Sequence, residues 1–406
     1  MKIIFAGAMM AVLTLTGAAA NHHEQRVREL LRPRVLELAE AELSQEPVTV
    51  TAFRAARSAG GPHDFFSEGD YWWPDPQHPD GPYIRRDGES NPNNFTAHRK
   101  AMTQMSMTVG NLTSAWLLTG DRRYVDAVVR HVKAWFMSPQ TMMTPNLLYA
   151  QAIKGVATGR GIGIIDTMHL VEVAQSLLRL HLAGVLPDDV YTGTQQWFAS
   201  YLHWMMTHPY GIAEMNATNN HGTCWAVQAA MFAKYTGNDS VMHFCANRYK
   251  TVFIDRQMDA RGAFPQELAR TKPYGYSLFN LDAMAALCMI LSTPDDNLWT
   301  YTTSDGRGMR KAVDFMLPFI IDKASWPYAH DVMCWENWPV AQPSMLFAWE
   351  ALADERCYEA WRRYDHFPRH EEVLRNLPLR NPIIWLTGNS GKLRHRRSAL
   401  SSEGTM

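Results

Sequence analysis

The sequence predicts an all-α domain built from helical hairpins. Three observations carry that expectation. Apolar residues recur at helical spacing along most of the chain, alternating strand patterns are rare, and one hairpin unit occurs twice. In the first copy Thr119-Gly120-Asp121 joins a helix to a second one ending at Trp135-Phe136. In the second copy Thr236-Gly237-Asn238 joins a helix to one ending at Val252-Phe253. The glycine suits a helix C-cap, and the Asp or Asn can cap the helix that follows. Repeated hairpins of this kind stack into bundles, solenoids or closed toroids.

Taken in order, the chain opens with Lys2, an apolar run over 3–15 and the small residues Ala18-Ala19-Ala20. That pattern reads as a cleavable secretory signal over 1–20, so the expected location is periplasmic or secreted. The run is shorter than the roughly 20 residues a membrane span needs. Helices are then expected at 29–43, 98–118, 124–136, 168–182, 190–206, 224–235, 240–255, 278–291, 308–321, 344–352 and 355–364. Three long polar and aromatic stretches interrupt them, at 61–94, 144–163 and 326–342. Loops of that length within a helical domain are usually functional. One domain is expected over 21–390, followed by a flexible basic tail at 391–406 that contains Arg394-His395-Arg396-Arg397.

Composition narrows the partners. Lys and Arg total 39 against 40 Asp and Glu, a net charge of -1, which argues against nucleic acid as the main partner. The five cysteines include no Cys-x-x-Cys pair, so a zinc ribbon or redox motif is not expected, and most should be buried as small hydrophobes. The 14 tryptophans fit either a large core or a cleft that stacks on flat ligands such as sugar rings.

Two segments could carry chemistry. Asn219-Asn220-His221-Gly222 combines amide donors with an imidazole, a set able to hold and neutralise a carboxylate. Alternatively, an Asn caps the next helix and His221 is a core residue. The second segment is 262–277, where Gly and Pro break the helical pattern and suggest a loop. Within it Arg270 can bind a carboxylate or lower the pKa of a neighbouring phenol, and a phenol so tuned can take and return a proton. Alternatively, Arg270 pairs with Glu267 and the tyrosines pack.

Asn-Asn-His-Gly at 219–222, Pro-Gln-Glu-Leu-Ala-Arg-Thr at 265–271 and Tyr-Gly-Tyr-Ser at 274–277 together resemble the alginate-lyase superfamily of polysaccharide lyases. The resemblance extends to Gly69-Asp70-Tyr71-Trp72-Trp73-Pro74-Asp75-Pro76, Gly81-Pro82-Tyr83, Arg86-Asp87-Gly88, the 146–151 run ending in Gln151, and Gly159-Arg160-Gly161, and it spans roughly 64–349. It implies an incomplete (α/α) toroid. It also implies catalytic roles for Asn220, His221, Arg270 and Tyr276. The compact spacing of Arg270 and Tyr276 looks more like polysaccharide lyase family 38, which includes glucuronan lyases, than the family 5 mannuronate lyases.

The activity implied is β-elimination on a 1,4-linked polyuronate such as glucuronan or mannuronate-rich alginate. Asn220 and His221 would neutralise the carboxylate, and Tyr276, kept ionised by Arg270, would act as base and then acid. Tyr274 is the competing choice for that role. Because protein groups do the neutralising, the scheme calls for no metal and no cofactor. Trp72, Trp73, Tyr83, Arg86, Gln151, Arg160, Asn219 and Tyr274 are expected to bind the anionic saccharide, with Trp326, Trp335 and Trp338 as a groove wall. His98 and His330 are spare bases or core residues. The sequence leaves two alternatives: a glycoside hydrolase using a carboxylate pair from Asp70, Asp75, Asp87 and Glu267, or a non-catalytic polyuronate-binding protein.

Overall fold

The computed structural model describes residues 3–386, with side chains from residue 22 onward. The expected leader therefore falls where at most the backbone is described, and the basic tail at 391–406 lies outside the described residues.

The helices are α1 (Ile3–Glu42), α2 (Ala97–Thr119), α3 (Arg122–Phe136), α4 (Leu170–Leu182), α5 (Asp188–Thr207), α6 (Pro209–Met215) and α7 (Asn220–Thr236) in the first part of the chain. They continue with α8 (Asp239–Arg248), α9 (Pro265–Leu268), α10 (Pro273–Leu291), α11 (Met309–Ile321), α12 (Pro343–Leu352), α13 (Glu355–Arg363) and α14 (Glu371–Asn376). Both expected caps form. Gly120 and Gly237 take left-handed backbone at φ 75° and 72°. Asp121 accepts from the Arg123 amide, and Asn238 accepts from the Val241 amide.

Packing follows the hairpin order. α2, α4, α7, α10 and α12 pack each on the next as an inner row, while α3, α5, α8, α11 and α13 lie outside them. The sequence explains the division. α10 is predominantly apolar and almost wholly buried, as suits an inner helix. α3 and α13 place arginines on one face and bury only the other. α1 reaches the far end of the row through His23, stacked on Trp349, and Arg26, paired with Glu355. The result is an (α/α) toroid, as the motif resemblance implied.

Four short strands occur in the long loops. β1 (Phe66–Glu68) pairs in parallel with β4 (Tyr149–Ala152), and β2 (Trp72–Trp73) pairs antiparallel with β3 (Ile84–Arg85). Period-2 patterning is too short to read in strands of two to four residues. All five cysteines are free, and Cys224, Cys245, Cys288 and Cys357 are buried, as expected.

One boundary differs in a way that matters. The segment around Tyr274 and Tyr276 was expected to be a loop, yet helix α10 starts at Pro273. Proline at the first helical position costs no hydrogen bond and presets φ. Asp331 then accepts from the Tyr274 and Gly275 amides, both at 2.9 Å. A side chain at Gly275 would meet that carboxylate, since a Cβ there lies 2.8 Å from the Asp331 Oδ2. Gly and Pro here start a helix rather than interrupt one.

Candidate active site

The N-terminal ends of the inner helices α7 and α10 open into one cavity of about 410 Å³, roofed by the β2–β3 and β4 loops and by α14. Asn220, His221, Arg270 and Tyr276 all line it, as do Trp72, Gln151, Arg160 and Asn219.

Asn220 is the first residue of α7. Its side chain does not cap the helix; buried Glu267 does. The Glu267 carboxylate accepts from the Asn220 backbone amide and from its Nδ2, both at 2.6 Å. This satisfies one orphan donor of the helix and fixes the amide orientation. Burial nevertheless pushes the Glu267 carboxyl above its usual range, against these hydrogen bonds and the charges of Arg270 and His221.

His221, one residue on, places Nδ1 2.6 Å from Oε1 of Glu214, a carboxylate 2% exposed. Burial opposes the charged imidazole, but Glu214, by charge and hydrogen bond, outweighs it with help from Glu267, and the net shift is upward from 6.5. An ionised Glu214 accepts the Nδ1 proton, so His221 has Nε2 left for the cavity it lines.

Across the cavity, Tyr276 sits in the first turn of α10 with its hydroxyl 2.6 Å from that of Tyr71. Arg270 approaches the Tyr276 hydroxyl at 3.5 Å and lies over its ring at 4.6 Å. Arg270 does not pair with Glu267. It bonds Asp87 through Nε (3.2 Å) and Nη2 (2.9 Å), and Thr271 holds the same carboxylate. Arg270 does not keep Tyr276 ionised at rest. Burial drives the phenol well above 10, the Tyr71 hydroxyl reinforces it, and the pull of Arg270 and Arg375 is smaller.

A third cluster surrounds Gln151. This residue holds a left-handed backbone at φ 53°, unusual outside glycine and a form of strain found at functional sites. The Ser67 hydroxyl accepts from its amide, and its side-chain amide donates to Asp166 at 3.1 Å. Arg160 donates to the Gln151 carbonyl at 2.7 Å and lies 5.7 Å from the Trp72 ring centre. No carboxylate pairs with Arg160 among the described residues. Burial, with Arg85 nearby, lowers its pKa to about 10, so it remains a cation at neutral pH.

Other expected residues lie elsewhere. Tyr274 is fully buried; its hydroxyl donates to the Phe319 carbonyl, and its ring packs on Trp326 and Trp335. Tyr274 and Tyr276 are two apart on a helix, so they cannot share a face. Trp326, Trp335 and Trp338 therefore back the core behind Tyr274 and do not line the cavity. Trp73 and Arg86 stack on each other outside it at 5.1 Å, and Tyr83 lies under Lys154 at 5.5 Å. Arg85, in β3, takes the lining position expected of Arg86. His98 is a core residue that accepts from the Phe66 amide, and His330 stacks on Trp335.

The carboxylates considered for hydrolysis are committed elsewhere. Asp70 is ion-paired with Arg99 and Arg375, and Asp87 with Arg270. Burial opposes ionisation of both, but the arginines hold Asp70 well below the usual range and Asp87 at about 2. Asp75 is bonded to exposed His78 away from the cavity.

Sequence reasoning missed Tyr71, Glu214, His169 and the α14 pair Arg375 and Asn376, all of which line the cavity. Glu214 lies seven residues before His221, on α6, which folds back onto α7. Arg375 comes from the far end of the chain, and no local pattern announces it.

A hairpin toroid whose inner-helix ends hold a cleft of arginines, paired hydroxyls and carboxylate-clamped donors has the architecture of a polysaccharide lyase. Residues 49–326 match the alginate lyase family model, and the chain belongs to that family. Its structure is similar to that of an alginate lyase from Bacteroides ovatus, with a TM-score of 0.76 and 29% identity over 90% of this chain and 97% of that one. Alginate lyase A1-III complexed with a tetrasaccharide gives a TM-score of 0.53 at 11% identity, covering 85% and 89% of the two chains. Alginate lyase A1-III from Sphingomonas species A1 gives 0.50 at 12%, covering 87% and 94%. These last two likenesses are of fold. No curated protein matches the chain.

Proposed function

We propose that this lyase cleaves a 1,4-linked polyuronate, glucuronan or mannuronate-rich alginate, by syn β-elimination and leaves an unsaturated uronate at the new non-reducing end. The observation that carries the reading is the convergence on one cavity of two clamped donors, Asn220 and His221, with the Arg270–Tyr276–Tyr71 hydroxyl cluster. The alginate-lyase neighbours support a uronate substrate.

The C5 proton of a uronate is weakly acidic while the adjacent carboxylate is charged. Donors from Asn220 and His221 stabilise the enolate-like form that develops as the proton leaves, a case of preorganised electrostatic stabilisation. Tyr276 is protonated at rest, so the productive state has one proton fewer on the Tyr71–Tyr276 pair. Phenolate Tyr276 takes the C5 proton and then gives it to the departing O4 as the C4–O4 bond breaks and the C4–C5 double bond forms. In β-D-mannuronate and β-D-glucuronate both groups lie on one face, so one tyrosine serves both steps. Arg160, Gln151 and Trp72 fit a neighbouring sugar, the guanidinium on its carboxylate and the indole on its ring. The N-terminal pattern of the sequence supports export to the periplasm or beyond.

The test is Tyr276→Phe. Elimination, read as ultraviolet absorbance of the unsaturated product from glucuronan, polymannuronate, polyguluronate and hyaluronan, should be lost while oligosaccharide binding survives. Retained turnover would remove Tyr276 from the role.

A further inference from the structure

We infer that Arg375, carried into the cavity by α14, is a positioning residue for the acid–base tyrosines, the counterpart of Arg270 on the opposite side of the hydroxyl pair. The inference rests on the proposed role of Tyr276. Arg375 lies beyond the segment that matches the family model, which ends at 326.

The geometry is specific. Arg375 Nη2 donates to the Tyr71 hydroxyl at 3.2 Å, and that hydroxyl is 2.6 Å from Tyr276. On the other side Arg270 Nη2 approaches Tyr276 at 3.5 Å. The two hydroxyls thus form a short chain with a guanidinium at each end. When the pair loses one proton, the remaining one is shared between two oxygens, and both ends are cationic. Arg375 cannot rotate away, because Asp70 and Glu372 hold it and its side chain is 15% exposed.

The charges facing the pair come from several elements. Arg270 and Lys272 precede α10, and Arg375 lies on α14. Against them stand Asp87 in the loop after β3, Glu372 on α14, and Asp70 just before β2, the last also held by Arg99 from α2. Lys272 Nζ pairs with Glu372 at 2.7 Å and lies 5.2 Å from the centre of the Tyr71 ring. Each cation has a carboxylate partner, with Asp70 shared by Arg99 and Arg375 and Glu372 shared by Arg375 and Lys272. Removing the Arg375 charge leaves Asp70 and Glu372 facing the hydroxyls, and the phenol then ionises at higher pH.

The experiment compares wild type, Arg375→Met, Arg375→Lys and Tyr276→Phe on polymannuronate and glucuronan. It measures log(kcat/KM) against pH, tyrosinate ultraviolet difference titration, and thermal melting. Arg375→Met should lower kcat/KM at neutral pH by at least about tenfold, the scale of one lost charge-assisted hydrogen bond. The breakpoint set by tyrosine ionisation should move to higher pH, mainly through kcat. Arg375→Lys should restore much of both. If Arg375→Met lowers the rate equally at all pH values and the tyrosinate breakpoint stays put, Arg375 is a structural tie only and the inference falls. If Arg375→Met does not fold, Arg375→Gln takes its place, and an unmoved breakpoint with unchanged kcat in that folded variant overturns the inference as well. Retained turnover in Tyr276→Phe would instead sink the reading on which it rests.

Discussion

Glu214→Gln tests how His221 works. The imidazole has two nitrogens, and Nδ1 faces the Glu214 carboxylate at 2.6 Å. An ionised carboxylate only accepts, so Nδ1 carries a proton. In the proposed mechanism Nε2 donates to the uronate and must carry one too, so the working form it requires is the imidazolium. Glu214 favours that form and raises the His221 pKa above 6.5 even though burial opposes it. A folded-state pKa above the unfolded value contributes stability that is fully present below about 6.5 and lost as pH rises through the folded value. Glutamine keeps the volume and one acceptor but removes the charge. A hydrogen bond to a charged partner contributes about 1.5–3 kcal/mol. At 1.36 kcal/mol per tenfold, that is about 10- to 150-fold in kcat/KM above the His221 pKa. The assay is the initial rate of ultraviolet absorbance on polymannuronate across the pH range, with thermal melting to confirm folding. The breakpoint assigned to His221 should move to lower pH. A folded Glu214→Gln enzyme with an unmoved breakpoint and unchanged rate would refute the imidazolium argument.

Two further outcomes separate neighbouring residues. Tyr274→Phe loses the hydroxyl bond to the Phe319 carbonyl at 3.0 Å and should cost about 1 kcal/mol of stability in a denaturant titration, with kcat retained. A dead but folded Tyr274→Phe would reverse the choice between the tyrosines. Arg160→Met removes the cation in the cavity that lacks a carboxylate partner among the described residues, and it should raise KM on oligouronates about tenfold or more with a smaller change in kcat. An unchanged KM would exclude a substrate carboxylate at that position.

The fold was legible because each hairpin carries its own local signal: helical spacing, a left-handed Gly120 or Gly237, and an Asx cap. The residue set at the inner-helix ends was legible as motifs, yet their clamps were not. Glu214 acts on His221 across 7 residues of sequence, Glu267 on Asn220 across 47, and Arg375 reaches Tyr71 across 304. Such pairings are set by the closing of the toroid, which a local pattern does not encode. Arg85 and Arg86 are adjacent, and only the turn geometry of β2 and β3 decides which enters the cavity. The start of α10 was hidden for another reason. Proline and glycine mark both loops and helix starts, and the deciding cap, Asp331, is more than 50 residues away.

The clamps also bear on stereochemistry. In L-guluronate the C5 hydrogen and O4 depart from opposite faces, so a second base is needed besides Tyr276. Two histidines line the cavity. His221 as imidazolium has no free lone pair. His169 is neutral, since burial together with Arg380 and Arg99 holds its pKa well below 6.5. Arg380 Nη1 stands 3.1 Å from the His169 Nδ1, and a guanidinium only donates, so Nδ1 is the acceptor and the proton sits on Nε2. His169 therefore also lacks a lone pair free to take a proton. Asp166 is occupied by Ser67, Arg99 and Gln151, and Glu214 by His221. With both imidazoles committed as donors, the hydroxyl pair at Tyr71 and Tyr276 is the base available to the proposed chemistry. On that proposal a single-face base would select the D-uronates, in which the proton and the leaving oxygen lie on that same face.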